Sequence, residues 1–248
     1  MKRILAALCC TLCLASSHSQ SNSGTPQAKN RAEANGSRVE LAAQYFQAGK
    51  PEIAIEEIQK VLAEDPRHSG ANNLLGLIRL REGNAAESET AFRISLGADP
   101  GNAGAHNNYG MLLCQTGRHD AGMEEFGKAL QRPSSIQVAQ TLLNGGICLT
   151  QKGDAAGAEK FFLKALEAEP FMPSALYQLA KVYHQTNREP QAESRLAALH
   201  RQIEPTPASA FLAYQVARAQ NKPEANKLAQ TLRARFPDSV EAQQLSRN

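Results

Sequence analysis

The sequence predicts an all-α, right-handed solenoid of about six helix-turn-helix repeats, closed by a short C-terminal capping helix. Three observations carry this. An apolar and small-residue pattern returns in phase about every 34 residues, the signature of a stacked-repeat architecture. Prolines at 66, 100, 170 and 237 stand in register with it, and proline ends a helix because it lacks an N–H and restricts the residue before it. The chain has 248 residues, is 42% apolar and contains no Trp; its Ala- and Leu-rich composition with few β-branched runs favours helix over sheet.

The repeats fall at about 35–68, 69–102, 103–136, 139–172, 173–205 and 206–239, with a cap at 240–248. The first unit is marked by Leu41-Ala42, Tyr45, Gly49, Ala54, Ile58 and Val61, and the second by Leu75-Gly76, Gly83 and Phe92. Tyr109-Gly110, Leu113, Gly117, Phe126 and Ala129 mark the third. Gly146, Leu149, Gly153, Ala158, Phe162 and Ala165 mark the fourth. The fifth carries Leu179-Ala180, Tyr183, Asn187, Ala192, Leu196 and Leu199, and the weaker sixth Leu212-Ala213, Val216, Ala225 and Leu232. The small residue midway along each first helix, from Ala42 to Ala213, and the small residue on the second, such as Ala54 or Ala158, let the two backbones approach. Gly49, Gly83, Gly117, Gly153 and Asn187 fall where the first helix must stop, a left-handed position that Gly adopts freely and Asn tolerates. Phe92, Phe126 and Phe162 are expected to fill the space between neighbouring hairpins. At Pro133-Ser134-Ser135 the register slips, which predicts a two-residue insertion in the connecting loop. The whole pattern, from Arg38 to about Pro237, resembles the tetratricopeptide repeat.

Ahead of the repeats, residues 1–19 read as a secretory leader: a charged start at Lys2-Arg3, then an apolar stretch from Ile4 to Ala15, too short for a bilayer, which takes roughly 20 residues. Ser17-His18-Ser19 offers a cleavage site before Gln20. The competing reading is a degenerate lipoprotein leader, in which Leu14-Ala15-Ser16-Ser17 is a lipobox with Ser17 in place of the lipidated cysteine. Residues 20–37, rich in Ser, Asn, Gly and Gln without apolar period, are expected to be a flexible tether. The body is residues 38–248. The expected location is the periplasm, with outer-membrane association through a lipid anchor left open.

Net charge is +3 with cations and anions interspersed, so no basic stripe indicates a nucleic-acid partner. Neither a metalloprotease helix motif, a phosphate-cradling loop nor a nucleophile elbow is present, and no catalytic group, cofactor, metal or small-molecule substrate is expected. Cys10 and Cys13 have redox or metal spacing but lie within the apolar leader. His106 and His184 are expected on exposed helix surface, and Glu56-Glu57 and Glu124-Glu125 on solvated faces. Cys114 and Cys148 are the informative pair. They lie on consecutive first helices, 114 pointing forward and 148 back, a geometry that permits a disulfide in an oxidising compartment; reduced, they would serve as two small buried apolar groups.

In such solenoids the first helices line a concave groove that takes peptides. The side chains expected to face it are Phe46, Asn73, Leu77, Leu80, Asn107, Met111, Leu143, Ile147, Tyr177 and Lys181. Apolar groups would hold side chains of a bound peptide and amides its backbone, although Leu77, Met111 and Ile147 would equally serve helix packing and Asn73 and Asn107 a structural cap.

Beyond the general repeat, HNNYGMLLCQTGRHDAGMEEFGKAL at His106–Leu130, NGGICLTQKGDAAGAEKFFLKALEAEPFMPSALYQLA at Asn144–Ala180 and RARFPDS at Arg233–Ser239 resemble the type IV pilus biogenesis/stability family, the PilW/PilF-like pilotins. The resemblance implies a monomeric, non-enzymatic periplasmic adaptor, usually lipid-anchored to the outer membrane, which binds the pilus secretin and promotes its localisation and multimerisation there. Ser17 departs from the family's lipidated cysteine. A general periplasmic scaffold for another cell-envelope or cytochrome assembly is the alternative.

Overall fold

The computed structural model describes residues 25–131 and 135–245. The expected leader, the start of the expected tether, Pro133-Ser134 and the last three residues of the expected cap lie outside them. The described residues form helices only. α1 (Pro26–Gln47) and α2 (Pro51–Glu64) make the first hairpin, α3 (Ser69–Arg81) and α4 (Ala85–Ala98) the second, and α5 (Ala103–Gln115) and α6 (His119–Ala129) the third. α7 (Ser135–Lys152) and α8 (Ala155–Ala168), α9 (Pro173–Gln185) and α10 (Glu189–His200), and α11 (Pro207–Ala219) and α12 (Glu224–Arg235) follow, and α13 (Val240–Gln244) closes the array.

The turn inside each hairpin is built the same way. Gly49, Gly83, Gly117 and Gly153 have φ of +72° to +86°, and Asn187 has φ +57°. Asn221, which the sequence reading passed over, has φ +53° and supplies the sixth turn. The next residue's N–H reaches back to a carbonyl of the preceding helix, as in Lys50 to Tyr45, Arg118 to Leu113 and Lys222 to Ala217. This closes the helix end by satisfying a carbonyl left without an intrahelical donor. Between hairpins, α2, α4, α8 and α12 each end two residues before Pro66, Pro100, Pro170 or Pro237. Asn102 and Asp154 then cap the starts of α5 and α8, accepting from Ala105 N at 2.9 Å and Gly157 N at 2.8 Å.

Within a hairpin the small residue on the first helix receives a bulky ring from the second. A methyl group added at Gly76 would stand 2.7 Å from the Phe92 ring, and one at Gly110 2.8 Å from Phe126; Gly146 is covered by Phe162 in the same way. These rings therefore belong first to their own hairpin, and only then to the seam: Phe92 also lies 6.2 Å, centroid to centroid, from Tyr109 of the next repeat. Bulk is conserved across the pair. Ala42 and Ala180, larger than Gly, go with the buried Ile58 and Leu196.

Two expectations at the ends of elements are corrected. Residues 26–37 are not a tether but the first turns of α1. Thr25 caps the helix by accepting from Ala28 N, Pro26 occupies its first turn, and the Gln, Ala, Lys, Arg and Glu that follow are good helix formers. That segment has no apolar face because nearly all of it is exposed beyond α2. The register slip near Pro133 is absorbed in part by helix: α7 has 18 residues against 13 in α3, α5, α9 and α11.

Candidate protein-binding groove

Each first helix packs on its own partner and on the next first helix, whereas among the described residues no second helix brings a Cα within 8 Å of one in the next second helix. The odd-numbered helices α1 to α11 therefore form the inner, concave row, and the even-numbered ones splay on the outside. Phe46, Asn73, Leu77, Asn107, Met111, Ile147, Tyr177 and Lys181 are partly exposed along the inner row. Leu80 and Leu143 are not groove residues. Leu80 is buried with Phe92 and Leu112, and Leu143 is buried in the large core around Phe162 and Leu179. Both point into the helix seam, where a leucine gains more by losing all its contact with water than by facing a groove.

Polar order along the inner row comes from amides crossing three repeats, exposed or partly exposed at Gln140, Asn107, Asn108 and Asn73 and buried at Asn144. Gln140 Nε2 donates to Asn144 Oδ1, Asn144 Nδ2 to Asn107 Oδ1, and Asn108 Nδ2 to Asn73 Oδ1, each at 3.0 Å. Asn107 Nδ2 joins the two halves by donating to Asn108 Oδ1 at 3.1 Å. Asn144 Nδ2 also lies 3.3 Å from the Met111 sulfur. Every amide thus donates in one direction, leaving the Asn73 NH₂ at the α3 end and the Gln140 carbonyl at the α7 end. The sequence reading found Asn73 and Asn107 but missed Asn108, Asn144 and Gln140. The signal was present: Asn108 and Asn144 each stand two residues before the small residue of their helix, Gly110 and Gly146. On the flanking first helices α1 and α9 a cation stands near an aromatic ring, the Arg81 guanidinium 5.1 Å from the Phe46 ring centre and the Lys181 ammonium 5.9 Å from that of Tyr177. Burial, and then the Glu241 charge, push the Tyr177 hydroxyl above its ordinary pKa.

The remaining polar groups hold repeats together. Arg118 grips Glu89 of the preceding repeat through two bonds of 3.0 and 2.8 Å, and the Tyr109 hydroxyl donates to the same carboxylate at 2.9 Å. The Arg118 guanidinium, with help from Tyr109, holds the Glu89 carboxyl down at about 2. Arg188 to Glu159 at 2.8 Å and Lys222 to Glu193 at 2.6 Å repeat the link. His106 and Glu125, expected on solvated faces, are both buried. His106 Nδ1 lies 2.5 Å from Glu125 Oε2, its Nε2 bonds the Pro100 carbonyl at 3.0 Å, and Lys128 closes on Glu125 at 2.7 Å. His184 is half-buried and bonds Glu189.

Cys114 and Cys148 meet across the α5–α7 seam as a disulfide, with Cα atoms 5.5 Å apart. Room for it comes from Gly122 on α6. The other second helices carry Ala54, Ser88, Ala158, Ala192 or Ala225 at that position; here a Cβ would collide with the Cys114 sulfur and lie 3.0 Å from the Gly110 carbonyl.

Sequence profiles described as tetratricopeptide repeat match residues 39–103 and 78–135 and, with a second profile, residues 149–213. The chain belongs to the tetratricopeptide-repeat family. Among solved members, the crystal structure of PilW, described as a widely conserved type IV pilus biogenesis factor, superposes with a TM-score of 0.80 at 26% identity, covering 86% of this chain and 98% of that one. Pseudomonas aeruginosa PilF superposes with a TM-score of 0.76, covering 88% of this chain and 98% of that one; at 23% identity the likeness is one of fold. An uncharacterized protein of Haemophilus influenzae is 26% identical over 119 residues, 48% of this chain, and the match spans 66% of that protein's length.

Proposed function

We propose that this chain is a type IV pilus biogenesis protein, a pilotin-like periplasmic adaptor that binds the pilus secretin and promotes its multimerisation at the outer membrane. The observation that carries the reading is the likeness to PilW, which combines fold, length and sequence identity over almost the whole of that protein. The inner row supplies the means. Leu77, Met111 and Ile147 offer partly exposed apolar contacts beside the amide row, a mixture that suits a polypeptide segment, whose side chains need apolar surface and whose backbone needs polar partners. The role is binding and presentation rather than catalysis. Export accounts for the Cys114–Cys148 disulfide, since structural disulfides persist in oxidising compartments.

Deleting the gene is expected to abolish twitching motility and to reduce heat-resistant secretin multimers, with Met111→Glu reproducing both defects while the protein stays folded. Normal multimers in the deletion strain would remove the proposal. The mass of the mature N-terminus separates the two modes of export: an acylated cysteine marks a lipid anchor, and an unmodified Gln20 a free periplasmic protein.

A further inference from the structure

The loops between hairpins repeat one arrangement with different residues. Arg67, Gly101 and Phe171 each follow the junction proline and face the end of the next second helix, at Gly97, Gln131 and Arg201 respectively. At the first junction Arg67 Nη2 donates to the Gly97 carbonyl at 3.1 Å and spans the gap. At the second the cleft is bordered by charges of both signs, Asp99 and Lys128. The fourth-to-fifth junction differs. Phe171 stands 72% exposed, more than any other large apolar side chain among the described residues. Beside it opens a cleft of about 520 Å³ with Leu166, Leu176 and Ala198 in its walls and Arg195 and Arg201 along its border.

No carboxylate lines this cleft. The carboxylates of Glu159 and Glu204 are taken by Arg188 and Arg235; the Arg195 guanidinium lies at the Tyr183 hydroxyl, and Arg201, which is exposed, forms no ion pair among the described residues. An exposed aromatic, apolar walls and two arginines, of which Arg201 is unpaired, together have the composition of an interface centre, where aromatic residues and Arg are enriched. The charge has one sign, and guanidinium pairs with carboxylates in a bidentate manner.

We infer that this cleft is a second docking site, on the outer side of the solenoid, for an acidic amphipathic segment of a partner polypeptide. An apolar side chain of the segment packs between Phe171 and the Leu166–Leu176 wall, and a flanking carboxylate engages Arg201, with the Arg195 charge adding to the attraction. The site is formed by α8, the start of α9, α10 and the loop between α8 and α9, apart from the amide row, and does not depend on what the concave groove holds.

Fluorescence anisotropy with the full chain and a labelled peptide of alternating Glu and Leu tests this. The peptide is expected to bind, and to bind less as salt rises. Phe171→Ala and Arg201→Glu should each weaken binding by about tenfold or more, a Gln-for-Glu peptide should bind comparably weakly, and Lys227→Glu, the same charge reversal on the exposed face of α12, should leave binding unchanged. Both cleft residues are exposed, so unaltered thermal denaturation of the two variants is the folding control. The proposal is overturned if the Glu peptide does not bind or if both cleft variants bind it normally. It is also overturned if these variants lose affinity only for phosphatidylglycerol-containing vesicles, which would make the patch a membrane contact.

Discussion

Gly122 shows how a single position can depart from its repeat for a local reason. At the equivalent place the other second helices carry Ala or Ser, and Gly is a poor helix residue, less favourable than Ala by roughly 1 kcal/mol. The Cys114 sulfur occupies the volume that a methyl group would take. Gly122→Ala is therefore expected to destabilise the oxidised protein by roughly 1–3 kcal/mol through overpacking. In a Cys114→Ala/Cys148→Ala background the same change should be neutral or stabilising. A denaturant double-mutant cycle measures the coupling, and equal costs in both backgrounds would show that the sulfur is not what excludes the methyl group. Gly153 is a conformational case: with φ +86°, its replacement by Ala should cost about 1–2 kcal/mol, read from the same melts.

At the scale of elements, helices of neighbouring repeats are joined by a recurring ion pair whose best-developed form is Glu89 with Arg118 and Tyr109. The Glu89 carboxyl titrates at about 2 in the folded state, below an ordinary carboxylate near 4.3 in the unfolded chain. A depressed folded value contributes stability that is fully present above the unfolded value and is lost as pH falls through the folded one. Stability should therefore decline from about pH 4.5 towards pH 2, and Glu89→Gln should flatten that part of the profile in urea melts at stepped pH. An unchanged slope would count against the link.

The elements were largely legible in the sequence because each hairpin states its start, turn and stop in residue types with a single physical use: Gly or Asn at the turn, Pro after the stop, Gly beneath a Phe. What was not legible had no such marker. The first turns of α1 are helical without an apolar face, so periodicity had nothing to detect. Leu80 and Leu143 were assigned to the groove by repeat position, yet a leucine there turns into the seam wherever the neighbouring helix leaves room. The amide row was half-read because its members are spread over three positions of the repeat, Asn73 and Asn107 at one, Asn108 and Asn144 at the next and Gln140 a turn earlier, so that no single column of the repeat contains it.

For the molecule as a whole, stability in a solenoid is a chain of nearest-neighbour couplings, and the disulfide strengthens one of them. It closes a loop spanning 34 residues, which should contribute about 2–4 kcal/mol. Cys114→Ala/Cys148→Ala is expected to lower stability by that amount and to raise hydrogen exchange first at the α5–α7 seam; protection lost elsewhere first would place the weak point in another repeat. Thiol labelling of the unreduced protein should find neither cysteine reactive.

The position of that covalent tie has a mechanical consequence. The inner helices pack in an unbroken series, while the outer helices are laced by the Glu89–Arg118, Glu159–Arg188 and Glu193–Lys222 pairs, so the covalent tie and the ionic ties act on different rows of the array. The bridge between α5 and α7 fastens the inner row at one seam, and it holds the third and fourth repeats together when salt screens the exposed Asp120–Lys152 pair outside.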